Sequence, residues 1–359
     1  MLETQYPTQK ISKRYAFTAI VFVLRVIGFY LGSDLSGGEL SGELAKLNPL
    51  GLIMGFLFYF LAISISLLIF YRCLRYVGLK PPIKGVAKAW IFGSFLDNIT
   101  PTIMPLGEAS MAYFLEKFYK ISYSKSLAAI GMYVSAWGMS VSMFSAVAVI
   151  VIQYFLGIPE GLIVPIVLVV LVFTAMTTGW LLLLTRKKFV ERVVRKIAKI
   201  YNRIYNVIKR RKLTYEACVF MIEFEESYSK LEAVMKNKRH IFVSVLMFAI
   251  PQLCHVLCMY SILVFGFGVN MPFLGVLLIH IISSVAGLVS FVPSGLGVYE
   301  VVAGSSPAGT VPVSTAAAAV MLYRIIFVWT TNLLGGFIGV TQGIGSIKVK
   351  PVSGEVTLG

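Results

Sequence analysis

Two carboxylates, Glu108 and Glu300, stand 192 residues apart, each at the end of a proline- and glycine-rich stretch that interrupts apolar sequence. The later stretch is Pro293-Ser294-Gly295-Leu296-Gly297-Val298-Tyr299-Glu300; the earlier is Pro101-Thr102-Ile103-Met104-Pro105-Leu106-Gly107-Glu108. A charge at membrane depth costs about 2.5–3.5 kcal/mol on insertion scales, so such residues mark a pathway or a paired site. Proline and glycine break a helix, and backbone groups freed inside a membrane are tolerated only within protein or beside water. An acid at such a break has two chemistries open to it. It can meet a cationic head group or carry a proton, or it can accept hydrogen bonds from the freed backbone amides. Arg324 is the matching cation. Its guanidinium fits phosphate oxygens through two parallel hydrogen bonds, or it pairs with Glu300; the two roles are compatible. Asp97 and Asn98 precede the first break, and Pro293, Gly295 and Gly297 form the second, so all five join the candidate pathway. His280 and the Ser283-Ser284 pair either line a polar path or pack helices.

The elements that must hold these residues are apolar helices. The chain is 58% hydrophobic and 13% charged, with a mean hydropathy of +0.84. Soluble domains carry about twice that share of charge, so this is an all-α polytopic membrane protein. The net charge of +16 is concentrated: sixteen of the 32 Lys and Arg residues fall between Arg186 and Arg239. That excess makes 186–240 a basic cytoplasmic helical insert by the positive-inside tendency. Within it Val190 to Ile208 repeat apolar positions at helical spacing, so Arg192, Arg195 and Lys199 either face an anionic leaflet or decorate a packed helical hairpin.

In chain order, a first span over 15–31 contains Arg25, and an acidic loop with Asp34, Glu39 and Glu43 follows it. A second span runs from about Leu50 to Phe70. Val86 to Met104 is only moderately apolar, with basic flanks on both sides, and reads as the first arm of a re-entrant hairpin returning over Glu108 to Tyr119. Residues 126–156 and 162–184 are spans, as is 241–268. Phe273 to Val292 is a second hairpin arm. The last apolar stretch, Val311 to Ile344, would be about 50 Å as one helix, and is therefore tilted, protruding or broken near Gly335-Gly336. Residues 349–359 form a flexible tail. Of the four cysteines, Cys254 and Cys258 flank His255 one helical turn apart, a pattern read as helix packing.

The offset of 192 joins Pro101 to Pro293, Glu108 to Glu300 and Trp137 to Trp329. Taking 49–156 and 241–348 as units, three spans separate their starting points, an odd number. The expectation is therefore one transmembrane domain over 1–348, built of two inverted structural repeats, each with a re-entrant helical hairpin.

Those motifs also resemble the lysylphosphatidylglycerol synthase transmembrane-region family, the flippase-type membrane domain. The resemblance rests on Pro293-Ser294-Gly295-Leu296-Gly297-Val298-x-Glu300, on Leu74-Arg75 closing an early span, on Gly107-Glu108, and on Tyr323-Arg324. It covers about 15–345. Ser294 stands where a glycine is common in the family, and the arginine often found before the first Gly-Glu is absent, Pro105 lying there instead. The soluble synthetase domain of the two-part enzymes is missing. The resemblance implies lipid translocation: a flippase for a phospholipid or polyprenyl-linked lipid. The alternative is a non-catalytic membrane partner or scaffold for a separate lipid-modifying synthetase or glycosyltransferase. No nucleophile–base set, metal cluster or phosphate-binding loop is legible, so neither enzymatic activity nor a cofactor or metal is expected. The expected partners are anionic or zwitterionic phospholipids or a polyprenyl phosphate lipid, with homo-oligomerisation open and nucleic acid excluded. The expected location is the cell membrane, multi-pass, with a cytoplasmic N-terminus.

Overall fold

A computed structural model describes residues 37–100, 106–156, 238–305 and 311–342, with helical backbone also at positions 167, 171, 175 and 179. The described residues form helices joined by short turns. Helix α1 spans Gly37–Ala45, so part of the expected acidic loop is helical. Helix α2, Pro49–Tyr76, starts where Asn48 accepts the Leu50 N–H at 3.0 Å and Pro49 supplies a preset φ. It ends at Tyr76, six residues beyond the expected Phe70, and just after it stands Gly78, whose φ of +80° a side chain would resist. The two arms of the first hairpin are α3, Ile83–Ile99, and α4, Leu106–Tyr119. The residues between them that would form the turn, 101–105, lie outside the described residues.

Helix α5 spans Tyr123–Leu156. Helix α6 spans Lys238–Tyr260 and continues as a π-turn over Ser261–Gly266. Helix α7, Phe273–Val289, is followed by a 3-10 turn at Pro293–Gly295 and by α8, Val298–Ser305. The last long helix is α9, Val313–Arg324, a π-turn at Ile325–Trp329, and α10, Thr330–Thr341. Of the three alternatives for this stretch, tilted, protruding or broken near Gly335-Gly336, the break is not found. Both glycines sit inside α10, and a Cβ on Gly335 would overlap Phe95 and approach the Ile91 carbonyl within 2.8 Å. They serve close helix packing, and the irregularity falls instead directly after Arg324.

Among the described residues, four helices are long and apolar enough to cross a membrane: Pro49–Tyr76, Lys125–Phe155, Arg239–Gly266 and Val313–Thr341. Leu57, Phe60, Ile150, Leu333 and Phe337 expose apolar side chains on them, as a lipid-facing surface requires. Two apolar clusters lie along the bundle. One gathers Tyr59, Ile152, Met259, Ile279 and Val320; the other gathers Phe70, Phe92, Phe114, Met132 and Phe248. Helices α2, α5 and α6 contribute to both. Arms α3 and α4 pack within the second cluster, α7 and α8 within the first.

Helices α2 and α6 run antiparallel. Gly51 meets Gly266 so closely that a Cβ on residue 51 would stand 2.5 Å from the Gly266 Cα, and Tyr76 lies over His240 with ring centroids 4.1 Å apart. Shifted by 192, the starts of α2, α3, α4 and α5 fall at 241, 275, 298 and 315; helices begin at Lys238, Phe273, Val298 and Val313.

Candidate functional site

The second break positions its polar groups through three unusual backbone conformations. Ser294, Gly295 and Gly297 have φ of 54°, 62° and 80°. Gly295 is obligatory on space as well as on φ, because a Cβ there would lie 2.6 Å from the Gly287 Cα. This sharp turn starts α8 at Val298, with Glu300 in its first turn. Glu300 Oε2 accepts the Gly297 N–H at 2.7 Å, so the carboxylate caps an amide at the helix's positive end. Its Oε1 accepts from Arg324 Nε at 2.7 Å, and Arg324 Nη2 donates to the Ser294 carbonyl at 2.7 Å. The guanidinium also stands over the Tyr299 ring, 5.2 Å from its centroid. Side-chain exposure of Arg324 and Glu300 is 8% and 9%, so the pair is largely withdrawn from solvent. The two roles foreseen for Glu300, amide cap and arginine partner, are both filled.

The first break is built differently. Asp97 Oδ1 accepts the Gly107 N–H at 2.8 Å, taking the capping role that Glu300 has in the second. A Cβ on Gly107 would overlap the Asp97 carboxyl, which fixes glycine at that position. Glu108 Oε2 is sealed from solvent and accepts no hydrogen bond.

The two breaks touch. Ser294 Oγ donates to the Asn98 carbonyl at 2.8 Å and lies 3.1 Å from Asn98 Oδ1, while Asn98 Nδ2 donates to Asn332 Oδ1 at 2.9 Å. The serine that replaces a glycine in the sequence motif therefore supplies the side-chain contact between them. Holding a non-glycine residue in this left-handed conformation costs about 1–2 kcal/mol, which this bonding offsets. Asp97, Asn98, Pro293, Gly295, Gly297, Glu300 and Arg324 thus form one continuous region with Glu108. Arg192, Arg195 and Lys199, like Arg25, lie outside the described residues.

Sequence reading missed two features. The first is a cavity of about 180 Å³ between α2, α3, α5, α6 and α10, lined by Asn98, Gln252, His255 and Thr331 with Trp90 and Trp137. Most of its lining is apolar, and these polar side chains are set among it. The second is a buried aromatic network beside the ion pair. His255 Nδ1 and the Tyr323 hydroxyl are 2.9 Å apart, His280 Nδ1 and the Tyr299 hydroxyl 3.0 Å, and the tyrosine rings stack at 5.7 Å. His280 therefore belongs to a hydrogen-bonded core and not only to helix packing. Tyr323 directly before Arg324, and His280 within an apolar run, were the signals for this network; their pairing with Tyr299 and His255 was not legible in the sequence. Cys254 and Cys258 are buried in the first apolar cluster.

The model of one protein family, described as the lysylphosphatidylglycerol synthase TM region, matches residues 16–335. Curated relatives are similar along nearly their whole lengths. A UPF0104 membrane protein of Methanocaldococcus jannaschii is 24% identical over 323 residues, covering 88% of this chain and 90% of that protein. One from Pyrococcus horikoshii is 25% identical over 300 residues, covering 80% and 85%. One from Methanothermobacter thermautotrophicus is 23% identical over 327 residues, covering 88% and 93%.

Proposed function

The chain belongs to the lysylphosphatidylglycerol synthase transmembrane-region family, and from that premise we propose that it moves a phospholipid or polyprenyl-linked lipid between membrane leaflets. The observation that carries the reading is the Arg324–Glu300 pair, held at a broken helix where Asn98 of the first hairpin meets it and lines a neighbouring pocket. A lipid head group needs polar partners at membrane depth, and a guanidinium is suited to its phosphate. Arg324 commits Nε and one Nη2 hydrogen to Glu300 and Ser294, and a guanidinium has five such donors. Glu300 orients the arginine or engages a head-group amine.

The proposed architecture is two inverted repeats with re-entrant hairpins α3–α4 and α7–α8, in a multi-pass protein of the cell membrane with a cytoplasmic N-terminus. Support comes from the recurring helix starts, the antiparallel α2 and α6, and hairpins that pack in different clusters and meet where Ser294 bonds Asn98. Such layouts recur among transporters that bind near the bilayer midplane. The test is leaflet exchange of a fluorescent phospholipid in vesicles containing the purified protein alone. Acceleration over empty vesicles that is abolished by Arg324→Ala in a folded protein supports the proposal. No acceleration leaves the second reading, a membrane scaffold for a separate synthetase or glycosyltransferase, which the closed Arg324–Glu300 pair would equally suit.

A further inference from the structure

Asp97 on α3 and Glu108 on α4 face each other across the first hairpin, carboxyl against carboxyl. The Gly107 N–H satisfies one oxygen of Asp97, but Glu108 Oε2 is buried with no donor. An ionised carboxylate only accepts hydrogen bonds, so two ionised carboxylates cannot satisfy each other; one proton between them turns one into a donor.

No described cation is placed to do this instead. On α3, Lys84 and Lys88 precede Asp97 by roughly 20 and 13 Å of helix rise, and on α4 Lys117 follows Glu108 by roughly 13 Å. Glu116, the other charge on α4, is an acid. Helix α2 offers Arg72, which already donates to Tyr76 and contacts the Met247 sulfur, and Arg75 in its last turn. Helix α5 brings Lys125 at its start and the Tyr133 phenol, which accepts from Trp90 Nε1 at 2.7 Å. Helix α10 and the Pro293–Gly295 turn bring no charge, only Asn332 and Ser294. The contrast with the second hairpin is direct. Met132 stands where the offset of 192 would place an equivalent of Arg324, and Val289 where it would place one of Asp97. One hairpin neutralises its glutamate with a guanidinium; the other sets a second acid beside it.

We propose that Asp97 and Glu108 together bind one exchangeable proton, and that its uptake and release couple lipid movement to a proton gradient. The proton comes from water, the charge of the pair changes from −2 to −1, and deprotonation returns it. The coupling rests on the transport reading above; the proton site does not. Infrared spectroscopy of the protein in vesicles at neutral pH tests the site directly. A protonated carboxylic-acid carbonyl band that disappears in Asp97→Asn and in Glu108→Gln supports it. Absence of the band in the wild type, or its persistence in both variants, overturns it. Coupling is read from leaflet exchange under an imposed pH gradient. A wild-type rate that changes by up to about tenfold per pH unit, against a gradient ratio near one in Glu108→Gln, supports coupling. A rate indifferent to pH, or one that follows a sodium gradient instead, overturns it. Vesicles with no exchange at all overturn the transport reading and coupling together, while the band still decides the proton site.

Discussion

Arg324 and Glu300 make their demands as single residues. Removing one member of a buried pair leaves the other charge uncompensated, a loss of about 3–5 kcal/mol. Arg324→Ala is therefore expected to lower Tm as well as abolish exchange, and the double change Glu300→Gln with Arg324→Gln to recover most of the Tm. Exchange that recovers with it would show the pair to be structural only; exchange still absent in a restored fold would show that the guanidinium acts on lipid. Gly295 offers a purely steric test. Gly295→Ala places a Cβ 2.6 Å from the Gly287 Cα at a φ of 62°, so a marked fall in Tm is expected, where the same change at Gly42, with open space around it, should do little. At this scale the sequence was informative about the pairing, since Glu300 and Arg324 are charges in apolar surroundings and each required a partner. It could not reveal that Asp97, rather than Glu108, caps the first break. Two acids eleven residues apart look alike until the turn between them decides which one reaches the amide.

Elements show what periodicity can and cannot convey. Apolar runs long enough to span located α2, α5, α6 and the last helix to within a few residues. The π-turns at Ser261–Gly266 and Ile325–Trp329 left no sequence mark, because one added residue of helix changes hydrogen-bond register without changing composition. Gly335-Gly336 misled for the converse reason. Glycine signals a break in isolation, but against Phe95 its missing side chain is what lets α10 approach α3. Outside the spans, α1 is tied to α9 by Glu43, which accepts from Lys46 at 2.7 Å and from Thr315 Oγ1 at 2.9 Å. The Lys46 ammonium first, and the Thr315 hydroxyl second, hold the Glu43 carboxyl below its ordinary range. A carboxyl depressed in the folded state contributes stability above its unfolded value and loses it as pH falls through the folded one. Thr315→Val should thus give a small drop in Tm at neutral pH that vanishes in acid; a drop independent of pH would assign the contact to packing.

Across the whole molecule the repeat makes its geometric claim at the junction of Ser294 with Asn98. Cysteines at both positions should cross-link readily under mild oxidation, and cysteines at Lys88 and Lys120 should label from one and the same side of the membrane. Labelling from opposite sides would mean that the first hairpin crosses, and the inversion would be lost. The offset of 192 was legible in three residue pairs and, with the charge pattern, led to the expectation that the two turns meet in the interior; that Ser294 and Asn98 make the contact was not legible, because contacts between segments so distant in the chain depend on every helix between them. The unequal partners of the two glutamates also carry a history. If both halves descend from one duplicated ancestor, the glutamate was kept twice while its companions arose at different positions, Arg324 opposite Met132 of the first half and Asp97 opposite Val289 of the second. A chain assembled from two first halves would hold two acid pairs and no guanidinium at its breaks, and one from two second halves two closed ion pairs and no second acid beside the glutamate. On the readings proposed above, each half would then supply a group that the other lacks, and a dimer of two identical halves would carry only one of the two.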